Sequence, residues 1–168
     1  MKKKDSPNIR DINLHIKTAL EETGDNWEFL LGDYNKNGTL DLYCIKKSNT
    51  GTNSTEVRVL NGEDNFKSFL LDTGTALPEV GDCYVFQLED YNNDGKLDLY
   101  CIKKFGNESN STEINIISGI DNLQSLIKNI RTKIPETNKN YSFCPFKDRM
   151  YVINKKGFNC TDILCLKI

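Results

Sequence analysis

Residues 33–41 read Asp-Tyr-Asn-Lys-Asn-Gly-Thr-Leu-Asp, and residues 90–98 repeat the phrase as Asp-Tyr-Asn-Asn-Asp-Gly-Lys-Leu-Asp. Oxygen-bearing side chains stand at positions 1, 3, 5 and 9 of each copy, and glycine stands at position 6. Carboxylate and amide oxygens suit a hard cation such as Ca²⁺, and glycine permits a sharp turn. The phrase therefore predicts two short loops, each able to fold around a cation.

The repetition extends well beyond these loops, at an interval of 57 residues that relates Asp33 to Asp90 and Cys44 to Cys101. Alternating apolar and polar residues in both copies are typical of half-buried strands. We predict four strands per unit, which in the first unit cover residues 27–31, 40–46, 55–60 and 66–77. Residues 123–130 have some helical spacing but their counterpart 66–73 does not, so we predict a strand or irregular segment there.

A third copy is degenerate. Met150 to Ile153 matches Leu99 to Ile102, but residues 144–149 are too short to form the loop and keep one carboxylate. The predicted organisation is a flexible tail at 1–8 and a single repeat domain at 9–168, divided into 9–26 (closing strand of unit 3), 27–83 (unit 1), 84–140 (unit 2) and 141–168 (unit 3).

The third unit lacks a fourth strand, whose counterpart, residues 9–20, lies at the start of the chain. Pairing of that segment with unit 3 would hide the edges that β repeats must protect. We therefore predict an all-β, propeller-like fold of three pseudo-symmetric four-stranded repeats, closed by the N-terminal strand. Because propellers commonly have four or more blades, a β-trefoil-like barrel is the alternative.

The composition of the chain argues against nucleic-acid binding and against a membrane span. The net charge is −2, with 27% charged residues and acids and bases interspersed, so no basic face for nucleic acid is expected. No apolar run approaches the length of a membrane span, and the basic start lacks the apolar segment of a signal peptide. We expect a domain taken from a longer secreted protein.

Six cysteines without a CxxC pair argue against zinc and fit an oxidising compartment. Cys44 and Cys101 align with Val152, so we predict buried thiols at those positions. The disulfide candidates are Cys83, Cys144, Cys160 and Cys165. Five N-glycosylation sequons, at Asn37, Asn53, Asn107, Asn110 and Asn159, also fit secretion if the source glycosylates.

The chain resembles the FG-GAP/VCBS-type calcium-loop repeat, in particular the repeat tails of secreted streptomycete and fungal proteins, including lysozyme-type glycoside hydrolases. The resemblance rests on the two loops, the Leu-Tyr-Cys-Ile-Lys-Lys that follows each, and Ser-Thr-Glu-Val-Arg-Val-Leu at 54–60. It implies propeller blades and a mostly non-catalytic role. It also implies one or two structural Ca²⁺ ions, held by Asp33, Asn35, Asn37, Thr39 and Asp41 and by Asp90, Asn92, Asp94, Lys96 and Asp98, with Thr39 and Lys96 contributing backbone oxygens.

An EF-hand is disfavoured, since position 12 is Cys44 or Cys101 instead of glutamate and a β-rich run follows. The loops could also be simple Asn/Gly turns without a metal. Catalysis has little support: His15 is the only histidine, and no Gly-x-Ser-x-Gly or His-Glu-x-x-His is present. We therefore expect no enzymatic activity.

Six aromatic residues recur at two repeat positions: Trp27, Tyr84 and Tyr141, and Tyr43, Tyr100 and Tyr151. Exposed rings would suit sugar faces or protein partners, whereas buried rings would form a three-fold aromatic core. We expect an extracellular, calcium-stabilised binding module that attaches a larger secreted protein to polysaccharide or cell wall. The alternative is a protein–protein adhesion or scaffolding module that docks another secreted protein.

Overall fold

The computed structural model describes residues 16–155 and 162–168, and this part of the chain contains eleven strands and no helix. Unit 1 contributes β1 (Trp27–Gly32), β2 (Asp41–Lys46), β3 (Ser54–Leu60) and β4 (Phe69–Pro78). Unit 2 contributes β5 (Tyr84–Glu89), β6 (Asp98–Lys103), β7 (Ser111–Ile117) and β8 (Leu126–Pro135). Unit 3 contributes β9 (Tyr141–Phe146), β10 (Arg149–Asn154) and β11 (Asp162–Lys167).

The strands form three separate antiparallel sheets, with orders β1-β2-β3-β4, β5-β6-β7-β8 and β11-β10-β9. Each sheet is a meander in which consecutive strands are neighbours. The predicted all-β repeat architecture is confirmed, and β8 confirms a strand where some helical spacing occurred. The β-trefoil-like alternative does not fit, because the described strands pair only within their own unit.

The apolar core lies between the sheets. One cluster joins Tyr43, Val57 and other residues of unit 1 to Phe86 and Leu99 of unit 2. A second cluster joins Tyr100 and Ile114, among others, to Phe143, Met150 and Val152 of unit 3. Each sheet therefore has a leading face, turned towards the preceding unit, and a trailing face, turned towards the next unit.

The first strands of the three sheets are neighbours in series, because β1 contacts β5 and β5 contacts β9. Among the described residues, β9 does not make the equivalent contact with β1. The sheets therefore form an open series, and the predicted closure of a three-unit ring is not seen in residues 16–155 and 162–168.

The segment before β1 keeps one feature of the predicted closing strand. The Ala19 backbone N–H donates to the Phe66 carbonyl at 2.8 Å, and the Ala76 N–H donates to the Leu123 carbonyl at 2.9 Å. The contact of Ala19 with unit 1 is therefore equivalent to the contact that Ala76, near the end of β4, makes with unit 2. Residues 16–26 form no strand, so the described part of the predicted closing segment at 9–26 does not have the predicted structure. Residues 1–15 lie outside the described residues, so the tail at 1–8 and a strand at 9–15 stay predictions.

Candidate functional site

The two cation-type loops, loop 1 (residues 33–41) and loop 2 (residues 90–98), share one backbone conformation. Position 4 has φ of 62° at Lys36 and 58° at Asn93, and position 6 has φ of 87° at Gly38 and 84° at Gly95. Glycine tolerates this left-handed region without the penalty that a Cβ imposes. The glycine at position 6 thus lets the chain turn back and bring positions 1, 3 and 5 together.

The side chains at positions 1 and 5 accept hydrogen bonds from the loop itself. Asp33 accepts the N–H groups of Asn37 at 3.1 Å and Gly38 at 2.8 Å, and Asn37 Oδ1 accepts the Thr39 N–H at 2.8 Å. In loop 2 the equivalent bonds run to Asp90 from Asp94 (3.1 Å) and Gly95 (2.8 Å), and to Asp94 from Lys96 (2.8 Å). Backbone donors thus preorganise both loops.

The aspartate at position 9 has a different task. Asp41 is fully buried and accepts the N–H of Tyr34 at 3.0 Å and that of Gly62 at 2.9 Å. It therefore links its own loop to the turn after β3. This gives Asp41 a fastening role that the sequence did not predict, and its predicted role as a calcium ligand stays a prediction.

Asp98 makes the same link in unit 2, with the N–H of Tyr91 at 2.9 Å and that of Gly119 at 2.8 Å. Burial raises the pKa of Asp98; the two N–H donors oppose the shift, and the nearby charges of Asp94 and Asp90 add to it. The buried negative charge is thus only partly compensated by its hydrogen bonds.

The donor set of loop 2 fits a calcium ion. The oxygens of Asp90, Asn92 and Asp94 lie on one turn, and a carboxylate oxygen that accepts one N–H retains a second lone pair. In the described chain no group of three His, Cys, Asp or Glu side chains is close enough to hold a metal ion. At positions 1, 3 and 5, loop 2 offers two carboxylates and one amide, whereas loop 1 offers one carboxylate and two amides.

Two lysines from opposite units reach across between the loops. Lys96 Nζ donates to the Tyr34 carbonyl at 3.2 Å and lies 5.1 Å from the centre of the Tyr34 ring. The Lys36 ammonium lies against Gly95, where a Cβ would collide with it. Loop 1 thus places a positive charge beside loop 2, in competition with a bound cation.

The predicted ligand-face tyrosines divide into buried and partly exposed residues. Tyr43 and Tyr100 are 1% and 0% exposed and belong to the two inter-sheet clusters. Burial raises the pKa of both phenols. Of the two alternatives for this repeat position, Tyr43 and Tyr100 therefore follow the buried one, because the neighbouring sheet covers them; Tyr151 at the same position is partly exposed.

The other three aromatics are all partly buried. Tyr84 packs against the first inter-sheet cluster and Tyr141 against the second. Trp27 lies parallel to Phe29, with ring centres 6.4 Å apart and an interplanar angle of 7°, and the Arg58 guanidinium lies 5.8 Å from the Trp27 ring. Among the described residues, unit 1 alone thus presents a stacked aromatic pair at its leading face.

The cysteines follow the predicted division in part. Cys44 and Cys101 are buried as predicted, and burial raises the pKa of Cys44 to about 12. Cys83 is partly exposed, and Cys144 and Cys165 are exposed; none of these three is in a disulfide with another described cysteine. Cys160 and His15 lie outside the described residues, so their predicted roles are not addressed.

Sequence reasoning missed the exposed apolar residues at the two ends of the series. Leu31 and Leu40 are 59% and 55% exposed on the leading side of unit 1, and Ile163 is 63% exposed on the trailing face of unit 3. The sequence repeat could have identified Leu31 and Leu40, because they are the counterparts of Leu88 and Leu97. Those two residues of unit 2 are partly buried against unit 1.

Three antiparallel meanders packed face to face in series define a blade-type repeat protein. Residues 33–101 match the family model described as FG-GAP-like repeat, a range that runs from loop 1 into β6. The comparisons with curated proteins and with solved structures gave no match. The described residues contain no helix long and apolar enough to cross a membrane.

Proposed function

We propose that the chain is a non-catalytic, extracellular, calcium-stabilised binding module that docks a protein partner. The observation that carries this proposal is the apolar surface left open at the ends of the series of sheets. Phe29, Leu31 and Leu40 supply it in unit 1, and Ile163 supplies it on the trailing face of unit 3. Contiguous exposed apolar surface marks protein interaction sites more often than it marks ordinary protein surface.

Repeat equivalence strengthens the argument. Phe29 is 45% exposed, whereas its counterparts Phe86 and Phe143 are 0% and 4% exposed because a preceding sheet covers each of them. The free leading face of unit 1 therefore already has the shape and chemistry of a surface that buries itself against protein. A sheet-like protein surface is the ligand that fits such a face.

Extracellular calcium binding is part of the same proposal. Loop 2 has an all-oxygen donor set already organised by backbone N–H groups. Binding to the folded state alone stabilises the fold by mass action, and extracellular modules bind Ca²⁺ with affinities suited to that compartment. The sequons at Asn53 and Asn110 support an extracellular location if the source glycosylates.

A carbohydrate ligand is the second candidate, favoured by Trp27 and Phe29. These parallel rings, with Phe29 45% exposed, present an aromatic surface of the kind that stacks on sugar faces. Attachment of a larger secreted protein to polysaccharide or cell wall would then run through unit 1. With Tyr43 and Tyr100 buried, this candidate retains only one aromatic platform.

The test is capture from the secretome of the source organism, run beside a glycan array, with wild type and Leu31→Asp. Protein docking predicts a captured protein that binds wild type again after purification and is lost with Leu31→Asp. Glycan binding predicts an array signal that is lost with Trp27→Ala and survives Leu31→Asp. Absence of any Leu31-dependent protein and of any glycan signal would overturn the proposal.

A further inference from the structure

The free faces at the two ends of the series correspond to the two sides of an interface that the chain already forms twice. The leading face of unit 1 corresponds to the faces by which unit 2 contacts unit 1 and unit 3 contacts unit 2. The trailing face of unit 3 corresponds to the faces of units 1 and 2 that receive them. One chain therefore carries both halves of a third such interface, at opposite ends.

The interface between units 1 and 2 shows how the halves fit. Leu88 and Leu97 of unit 2 lie beside Gly32, where their Cδ1 atoms and the edge of the Tyr43 ring surround the position that a Cβ would take. A Cβ at Gly32 would stand 2.6 Å from Leu97 Cδ1, so the two sheets approach as closely as the absence of a side chain allows. One leucine near the end of the first strand and one near the end of the loop thus form the protruding half of the contact.

In unit 1 the same protruding half is present and uncovered. Leu31 and Leu40 occupy the positions of Leu88 and Leu97 and are more than half exposed. Beside them, the Arg58 guanidinium is paired with Asp72 at 3.2 Å. An incoming sheet therefore meets apolar side chains and a charge that already has a partner, which lowers the cost of removing water from this face.

In unit 3 the receiving half is uncovered. Pairing across its sheet places Cys144, Tyr151 and Cys165 in one row, and Ser142, Ile153 and Ile163 in the next. The row Leu30, Tyr43 and Val59 of unit 1 corresponds to the first of these, and Tyr43 and Val59 are fully buried beneath unit 2. In the row of Tyr151, by contrast, Tyr151 is partly exposed and Cys144 and Cys165 are exposed.

We propose that the partner is a second copy of this chain, with the leading face of unit 1 of each copy seated on the trailing face of unit 3 of the other. This inference rests on the proposed function, whose protein partner it names. The two contacts are identical and heterologous, and such contacts close into a ring when the rotation permits. Two copies provide six blades, within the range of about four to eight typical of propellers, whereas three copies would exceed it.

The occupant follows from continuity with the established interfaces. A second copy repeats the contacts of Leu88 and Leu97 through Leu31 and Leu40, and it covers both free faces at once. The closed assembly would also account for the open series of sheets, because β1 of one copy would become the neighbour of β9 of the other. A single dimer would thus cover the leading face of unit 1 and the trailing face of unit 3 in both copies.

The test is sedimentation velocity of the full chain in calcium-containing buffer at concentrations from about 1 to about 100 µM. Wild type should reach twice the 19.2 kDa chain mass. Leu31→Asp and Ile163→Asp should each remain at the single-chain mass, because all copies then lack one half of the interface. The matched control is Ile120→Asp, which changes an equally exposed residue in the turn after β7 and should dimerise as wild type does.

Mixing the two face variants separates this arrangement from a symmetric one. An equimolar mixture of Leu31→Asp and Ile163→Asp chains keeps one intact pair of faces, so a 1:1 dimer should reappear. If like faces met instead, one variant would dimerise alone. Circular dichroism melts of each variant show that the chain is folded, since both substituted side chains are more than half exposed.

A wild-type chain that stays at single-chain mass at about 100 µM, or a mixture that stays monomeric while wild type dimerises, overturns the proposal. Failure of self-association leaves the proposed function separately testable. A monomeric wild type that still captures a purified foreign protein through Leu31 would refute only the second copy as partner. If wild type neither self-associates nor captures a foreign protein through Leu31, the docking function is refuted as well.

Discussion

Units 1 and 2 carry nearly the same sequence in different surroundings, and the difference lies in what covers their leading faces. Phe86 of unit 2 is completely buried against unit 1, whereas Phe29 at the same position of unit 1 is 45% exposed. The strands, loops and turns of the two units coincide. Repeat position thus sets the backbone, and the neighbouring sheet sets the burial, as in other repeat proteins with nearest-neighbour interfaces.

The largest expected effect is a difference in the stability lost when Phe86 or Phe29 is replaced by alanine. Phe86→Ala should lower the free energy of unfolding by about 3–5 kcal/mol, because it leaves a cavity between two sheets. Phe29→Ala should cost about 1 kcal/mol or less, since its ring is already partly hydrated. Urea denaturation at a concentration at which the chain is monomeric measures both values. Equal losses would show that unit 1 is covered in solution by something other than a second copy.

The next effect contrasts position 9 of loop 2 with the same position of unit 3. Asp98→Ala should cost about 2–3 kcal/mol, because it leaves the N–H groups of Tyr91 and Gly119 without their acceptor. Arg149 occupies that position in unit 3 and is exposed, so Arg149→Ala should change stability by less than about 0.5 kcal/mol. Urea melts of both variants in EDTA measure the difference; similar costs would contradict the fastening role of Asp98.

Calcium should distinguish loop 2 from loop 1. Saturating Ca²⁺ at about 100 times Kd should stabilise the fold by about 2.7 kcal/mol and raise Tm by about 5–10 °C relative to EDTA. Asp90→Ala should remove more of that shift than Asp33→Ala, because loop 2 has two carboxylates among positions 1, 3 and 5. Lys36→Ala should strengthen the response, since it removes the ammonium beside Gly95.

The control for calcium is Asp148→Ala in unit 3, which has no loop of this type and should respond as wild type does. A Tm that is the same in Ca²⁺ and EDTA would contradict calcium binding. A calcium-dependent Tm shift that is lost with Asp33→Ala and kept with Asp90→Ala would show that loop 1, and not loop 2, binds the ion.

A smaller effect concerns pH. The pKa of Asp98 is raised by burial, so the folded state binds a proton at Asp98 more readily than the unfolded chain does. Between the ordinary aspartate pKa of about 3.9 and the raised value, this group makes the free energy of unfolding fall as pH rises. Asp98→Asn removes that contribution, so stability should fall less steeply above about pH 4 than in wild type, as measured by urea melts in EDTA. Parallel profiles would contradict the assignment.

The sequence was sufficient to predict the strands and loops, because each depends on local pattern. Alternation located β3 and β7, and glycine at position 6 located the turns whose φ values the structure shows at Gly38 and Gly95. The roles of Tyr43 and Asp41 could not be predicted in this way. Both depend on a group far along the chain, a sheet of the next unit in one case and the Gly62 N–H in the other.

The closure of the ring could not be predicted from local sequence pattern either, because it too depends on contacts between residues far apart in the chain. The predicted pairing of the segment before unit 1 with unit 3 is compatible with a ring within one chain or across two. The exposures of Leu31 and Ile163 favour the second arrangement, because closure within the chain would bury both. A comparison of exposure at equivalent repeat positions was needed to distinguish them.

Trp27 provides the most direct test of the claim that the leading face of unit 1 is an unfilled copy of the interface between units. It is the single tryptophan of the chain and lies on that face against Phe29. Acrylamide quenching of its fluorescence should weaken as the concentration of wild type rises to about 100 µM, because a second copy covers the ring. In Ile163→Asp it should stay constant. Quenching of wild type that does not change with concentration would contradict the account.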